Sequence, residues 1–178
     1  DVLLQLQTIR LQSNIQQRKK CLVAVGDHSY HGPGSTSFGS RDPFCIKGHN
    51  HVQVQFPTPS FHNQKKDESV NDFHIRCYEE YTAFLNVHGE HIAVLFLEPQ
   101  WGSSSCAQPW PKHLLHKYIA LAKTYHILIC ADEIMCGVGR HGVGNTLFLT
   151  TAWDLDVDAI TFGKAIAGGA YALSGALF

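Results

Sequence analysis

Two apolar runs, each ending at an ionisable group, constrain this chain more than any other feature. Ile127-Leu-Ile-Cys-Ala131 leads into the acid pair Asp132-Glu133, and a turn containing Gly137, Gly139 and Arg140 follows. Ala159-Ile-Thr-Phe162 leads into Gly163 and Lys164, with Gly168 and Gly169 close behind. Short apolar runs bounded by turn signals read as strands covered on both faces, as parallel sheets require. Cys21-Leu-Val-Ala-Val-Gly26 and Ile92-Ala-Val-Leu-Phe-Leu97 have the same character, and the second delivers Glu98-Pro99. Val52-Gln-Val-Gln-Phe56 alternates as a short strand does, and residues 173–178 read as the start of a further strand.

Helical spacing appears between these runs. Phe73, Cys77, Tyr81, Phe84 and Leu85 predict a helix over 69–87, capped by Ser69 or Asn71 and ended by Gly89. Pro111 suits a first turn, and Leu114, Leu115, Tyr118, Ile119, Leu121 and Ala122 predict a helix over 111–125. Residues 2–18 are loosely helical. Strands alternating with helices imply an α/β fold: a mostly parallel sheet with crossover helices.

Such a sheet binds ligands beyond the C-terminal ends of its strands. Three features collect there: the loop Asp27-His-Ser-Tyr-His-Gly-Pro-Gly34, the acid pair and the lysine. A lysine in water titrates near pH ~10.4 and is a poor nucleophile at neutral pH. Burial disfavours its charged form, and a neutral amine condenses with an aldehyde. Pyridoxal phosphate is the common aldehyde cofactor. It asks a protein for a lysine and for an acid at its ring nitrogen. Lys164 and Asp132, both expected to be buried, fill these roles if their strands lie side by side.

The blocks resemble those of the class III (omega-type) pyridoxal-phosphate aminotransferases. That pattern reads apolar-Asp-Glu-apolar-x-x-Gly-x-Gly-Arg, then Thr-Phe-x-Lys-x-x-x-Gly-Gly, then Leu-Ser-Gly. The chain has all three, the last at Leu173-Ser174-Gly175, with Tyr30-His31-Gly32 and Glu98-Pro99 upstream in the family's order. The resemblance implies the fold-type I large domain and a cofactor site built from Lys164, Asp132, Ile134, Tyr30, His31 and Glu98. Lys164 would be both the cofactor's anchor and the catalytic base. Asp132 would meet the ring nitrogen, with Tyr30 and Ile134 on opposite faces of the ring. Glu98 has two open roles, a partner for a charged neighbour or a carboxylate that orders the next loop. Met135 stands where many members carry a glutamine that bonds the ring hydroxyl, a bond methionine cannot donate. Glu133 and Arg140 read as ties between loops, and Trp101-Gly-Ser-Ser-Ser-Cys106 replaces a glycine-rich loop.

The implied reaction is amino-group transfer between an amine or amino acid and a 2-oxo acid, in a homodimer. The whole of 1–178 then reads as part of the large domain, lacking the phosphate-binding loop and the small C-terminal domain. Two alternatives stay open: a truncated, non-catalytic remnant, and another fold-type I reaction such as that of a racemase, aminomutase or decarboxylase.

Composition narrows the field. A formal net charge of -1 gives no electrostatic ground for binding nucleic acid or an anionic membrane. No apolar run approaches the roughly 20 residues needed to span a bilayer. The six cysteines contain no Cys-x-x-Cys pair and read as reduced thiols, which points to the cytoplasm with mitochondria left open. His49-Asn50-His51 is a poor zinc pattern, so no metal is expected.

Overall fold

The computed structural model describes Lys20 and residues 22–31, 52–102 and 105–178. The expected helix over 2–18 and the His49–His51 cluster lie outside the described residues. The strands are β1 (Leu22–Gly26), β2 (Val52–Phe56), β3 (Ile92–Leu97), β4 (Leu128–Asp132), β5 (Ala159–Phe162) and β6 (Gly175–Leu177). They form one sheet in the order β2-β1-β3-β4-β5-β6. All neighbours are parallel except β6, which runs antiparallel to β5 at the edge.

The helices are α1 (Val70–His88), α2 (Lys112–Thr124) and a short α3 (Leu149–Trp153). Alternation along each strand divides the core into two faces. Ala24, Leu95, Leu97, Ile129 and Ala131 join a cluster with Tyr81 and Leu85 of α1 and Leu114, Leu115 and Tyr118 of α2. Val23, Val25, Val94, Phe96 and Cys130 form the cluster on the opposite face. Burying each large apolar side chain contributes about 1.5–3 kcal/mol. The helix pair is keyed by Tyr81 and Tyr118, whose rings stack 3.9 Å apart at 9°. Both hydroxyls are used: Tyr81 donates to Tyr118 O, and Tyr118 donates to Cys77 O at 2.7 Å.

The helix ends follow the expected residues with two refinements. Ser69 caps α1 by accepting from Asp72 N. Gly89 follows α1 in right-handed geometry, so it is not a left-handed terminator. It is glycine for lack of space, since a Cβ there would stand 2.4 Å from Tyr125 Cδ1. Lys20 fastens the same end of the sheet. Its ammonium donates to Ile92 O at 3.2 Å, to Gly89 O at 3.4 Å and to Tyr125 O. The parallel register brings the opposite, C-terminal ends of β1, β3, β4 and β5 to one edge, where Asp132 pairs with Thr161.

Candidate functional site

The strand order puts Asp132 at the end of β4 and Lys164 just past the end of the adjacent strand β5. Glu133 N donates to Thr161 O at 2.8 Å and extends the pairing one step. Asp132 has the parity of Cys130 and so lies on the Phe96 face of the sheet. The loop after β1 crosses that face. His31 packs its ring 5.4 Å from that of Phe96 and places Nδ1 2.7 Å from Asp132 Oδ2. The side chains are 3 % and 7 % exposed, so this is a buried pair. An ionised carboxylate only accepts, so Nδ1 carries the proton. Burial by itself disfavours the imidazolium, but the hydrogen bond to Asp132 and the charges of Asp132 and Glu98 outweigh it and raise the pKa of His31. His31 Nε2 is buried with no hydrogen-bond partner among the described residues.

Asp132 Oδ1 accepts from Ile134 N at 3.0 Å, which turns the chain after β4. Each oxygen of Asp132 keeps a second lone pair, so the carboxylate can still accept from a ligand. The Ile134 side chain reaches towards β5: a Cβ on Gly163 would stand 3.9 Å from its Cγ1. Arg140 donates from Nη2 to Ile134 O and from Nε to Gly137 O at 3.3 Å, so it is a tie within the turn. Glu133 is fully buried. Its Oε1 and Oε2 accept from Thr150 N and Leu149 N, both at 2.7 Å, at the start of α3. These are the structural ties that the sequence predicts for both residues.

Glu98 stands past the end of β3, next to β4, and is 6 % exposed. Its Oε1 accepts from Tyr30 N at 3.2 Å and its Oε2 from Gly102 N at 3.1 Å. Burial raises its pKa and the charge of Asp132 adds to this; the nearby His31 charge and the two N–H donors oppose them without prevailing. Tyr30 itself presents a half-exposed ring. The loop that carries it is braced from below. Asp27 Oδ1 accepts from Thr58 N at 2.9 Å and Oδ2 from Asn63 Nδ2 at 2.6 Å. Gly26 leaves no room for a side chain, because a Cβ would stand 2.6 Å from Ser29 Oγ.

One expectation is corrected. Lys164 is exposed, not buried. β5 ends at Phe162, and Lys164 opens a 3₁₀ turn, Lys164–Ala167, in left-handed backbone geometry at φ 49°. The residues that follow also face outward: Ile166, Tyr171 and Leu173 are 41 %, 83 % and 54 % exposed. No described element therefore lies over the amine. Its Nζ has no hydrogen bond or ion pair among the described residues. A positive φ at a non-glycine residue is uncommon and costs of order 1–3 kcal/mol; Asp67, His126 and Asp154, among others, share it.

The sequence reading missed three links: Asp132 to His31, Glu98 to the Tyr30 backbone, and Asp27 to Thr58 and Asn63. The residues were visible, but their partners lie on other strands and carry no pattern of their own. Among the described residues no group of three or more His, Cys, Asp or Glu could hold a metal ion, and no helix is long and apolar enough to cross a membrane.

Comparison with known proteins matches residues 6–178 to the family model described as aminotransferase class-III. Over 163 residues the chain is 29 % identical to the adenosylmethionine-8-amino-7-oxononanoate aminotransferase of Staphylococcus aureus, covering 89 % of this chain and 35 % of that protein. It is 30 % identical over 176 residues to the alanine/serine racemase of Pyrococcus horikoshii, covering 90 % and 35 %. The chain thus spans about a third of the length of these relatives. Among solved structures, one described as a transaminase with L-ala matches all of this chain and 42 % of its own, with a TM-score of 0.80 at 23 % identity. A PMP-bound aminotransferase from Vibrio fluvialis matches 90 % of this chain and 35 % of its own, with a TM-score of 0.74 at 24 % identity. These two structures show the fold.

Proposed function

The chain belongs to the class III aminotransferase family, and from that premise we propose that the protein transfers an amino group between an amine or amino acid and a 2-oxo acid, using pyridoxal 5'-phosphate. The observation that carries this reading is the pairing of β4 with β5, which sets a buried acid and an exposed lysine at neighbouring strand ends. The residues fit the cofactor on their own chemistry. Asp132 has acceptor capacity left for a ring N–H, and the Lys164 amine is open to an aldehyde carbon.

In this reading Asp132 would hold the ring nitrogen, Tyr30 and Ile134 the two ring faces, and Lys164 the aldehyde carbon. The cofactor, when bound, supplies an electron-poor ring that takes up the electron pair released as the substrate carbon loses its proton. The protein's residues do the rest. His31 donates Nδ1–H to Asp132 Oδ2, which fixes the carboxylate and leaves its other lone pairs for the ring. The imidazolium and the neutral Nδ1–H tautomer both carry that proton, so the bond does not depend on the charge of His31. Lys164 Nζ, once neutral, takes the proton from the substrate carbon as general base and later returns it. Substrate binding must cover Lys164, which stands open to solvent among the described residues.

A homodimer is the assembly we propose. The exposed Ile166, Tyr171, Leu173, Leu177 and Phe178 give this edge an apolar surface beside Lys164. The described cysteines, 77, 106, 130 and 136, are free, which suits a reducing compartment such as the cytoplasm. We propose that residues 1–178 are part of a larger cofactor-binding domain, consistent with the lengths of the relatives.

The racemase relative supports a second reading, inversion at the same carbon by the same lysine. Incubating the intact protein, loaded with pyridoxal phosphate, with an amino acid and a 2-oxo acid tests both. Transamination predicts a new amino acid from the oxo acid. Inversion of the amino acid without any need for an oxo acid supports the racemase reading, and neither product overturns both.

A further inference from the structure

We infer that Glu98 is a positioning residue that acts through Tyr30: its two carboxylate oxygens clasp the backbones of the loops after β1 and after β3, and so set where Tyr30 stands, next to the His31 that contacts Asp132. The inference rests on the proposed reading of the site as one that holds pyridoxal phosphate.

Glu98 binds Tyr30 by its main-chain N–H, at 3.2 Å. A bond to the backbone fixes the whole residue and leaves the ring free to face a ligand. The second oxygen reaches Gly102 N at 3.1 Å, so one side chain ties two loops together. Water does not compete, because Glu98 is 6 % exposed. The next residue, His31, is pinned at 2.7 Å by Asp132. Carboxylates at the ends of the adjacent strands β3 and β4 thus hold two successive residues of the loop after β1. With strands about 4.8 Å apart, a carboxylate on β3 must extend sideways to meet the β1 loop, and glutamate has the length to do so. Both Glu98 oxygens are engaged by main-chain donors, so the side chain holds the two loops in place.

Two measurements on the intact protein test this. Amide hydrogen exchange in the cofactor-free protein reads the clasp directly. Glu98→Ala should speed exchange at Tyr30 and Gly102 and leave β3 and β4 slow. Glu98→Gln keeps one acceptor oxygen and should protect one of the two amides. Unchanged exchange at both overturns the clasp. Titration with pyridoxal phosphate, followed by absorbance and visible circular dichroism, reads the action through Tyr30. Glu98→Ala and Tyr30→Ala should each weaken uptake about tenfold, the effect of losing one aromatic ring contact. The double variant should be no weaker than either single one. Multiplying losses would show that Glu98 acts independently of Tyr30 and overturn the inference. If the wild-type protein takes up no cofactor, the site reading fails, and with it the action through Tyr30. The exchange experiment then decides the clasp alone. Near-ultraviolet circular dichroism confirms that each variant is folded, and Glu98→Gln serves if Glu98→Ala is not.

Discussion

Asp132 and His31 form a buried hydrogen-bonded pair, Oδ2 to Nδ1 at 2.7 Å, that joins the end of β4 to the loop after β1 across the Phe96 face of the sheet. Removing one member of such a pair strands the other in a medium that solvates it poorly. His31→Ala should lower the unfolding free energy of the cofactor-free protein by about 3 kcal/mol. Urea unfolding checks this. An unchanged midpoint would mean that water replaces the imidazole at no cost.

The same pair makes stability depend on pH. The folded-state pKa of His31 is raised above 6.5, so the folded protein holds this proton more tightly than the unfolded chain does. Its contribution is fully present below pH 6.5 and is lost as the pH rises through the folded value. Glu98 is raised above 4.5, so its contribution is present below that pH and is likewise lost as the pH rises. The difference in urea midpoint between wild type and His31→Asn should therefore shrink above pH 6.5. A difference that grows with pH would reverse the sign of this argument.

Glu133 predicts a local lesion. Its carboxylate accepts from Leu149 N and Thr150 N at 2.7 Å in a fully buried setting. Glu133→Gln turns an amide NH2 towards one of these donors and should cost about 2 kcal/mol. Hydrogen exchange should rise first at the start of α3, which separates this loss from a global one.

Lys20 predicts a lesion at the far end of the sheet. Its ammonium gathers the carbonyls of Gly89, Ile92 and Tyr125, where α1 and α2 end and β3 begins. Lys20→Met keeps much of the length and removes the donor, and should cost about 1.5–3 kcal/mol. Cofactor uptake should stay unchanged, since the site lies at the opposite strand ends.

The parts of the fold that were legible in the sequence are those with a local cause. Continuous apolar runs mark β1, β3, β4 and β5 because both faces of these strands are covered. Helical spacing marks α1 and α2, and each boundary falls within a residue of its cap. The strand order was not legible, since β2 pairs with β1 at the opposite side of the sheet from β4 through contacts without sequence pattern. The positions of Asp132 and Glu98 at the strand ends followed from the runs before them. The exposure of Lys164 did not, because an apolar strand predicts burial up to its last residue and says nothing of what lies over the next turn. Gly89 makes a similar point: its place at the end of α1 was legible, but the tyrosine ring that requires it comes from beyond α2.

The account stands on Lys164 as the residue that takes the cofactor. Loading the intact protein with pyridoxal phosphate, reducing it with borohydride and mapping the modified peptide by mass spectrometry tests this most directly. The prediction is one stoichiometric label on Lys164, with the visible absorbance of the loaded protein lost in Lys164→Ala. A label on another lysine, or absorbance that survives the substitution, would contradict it.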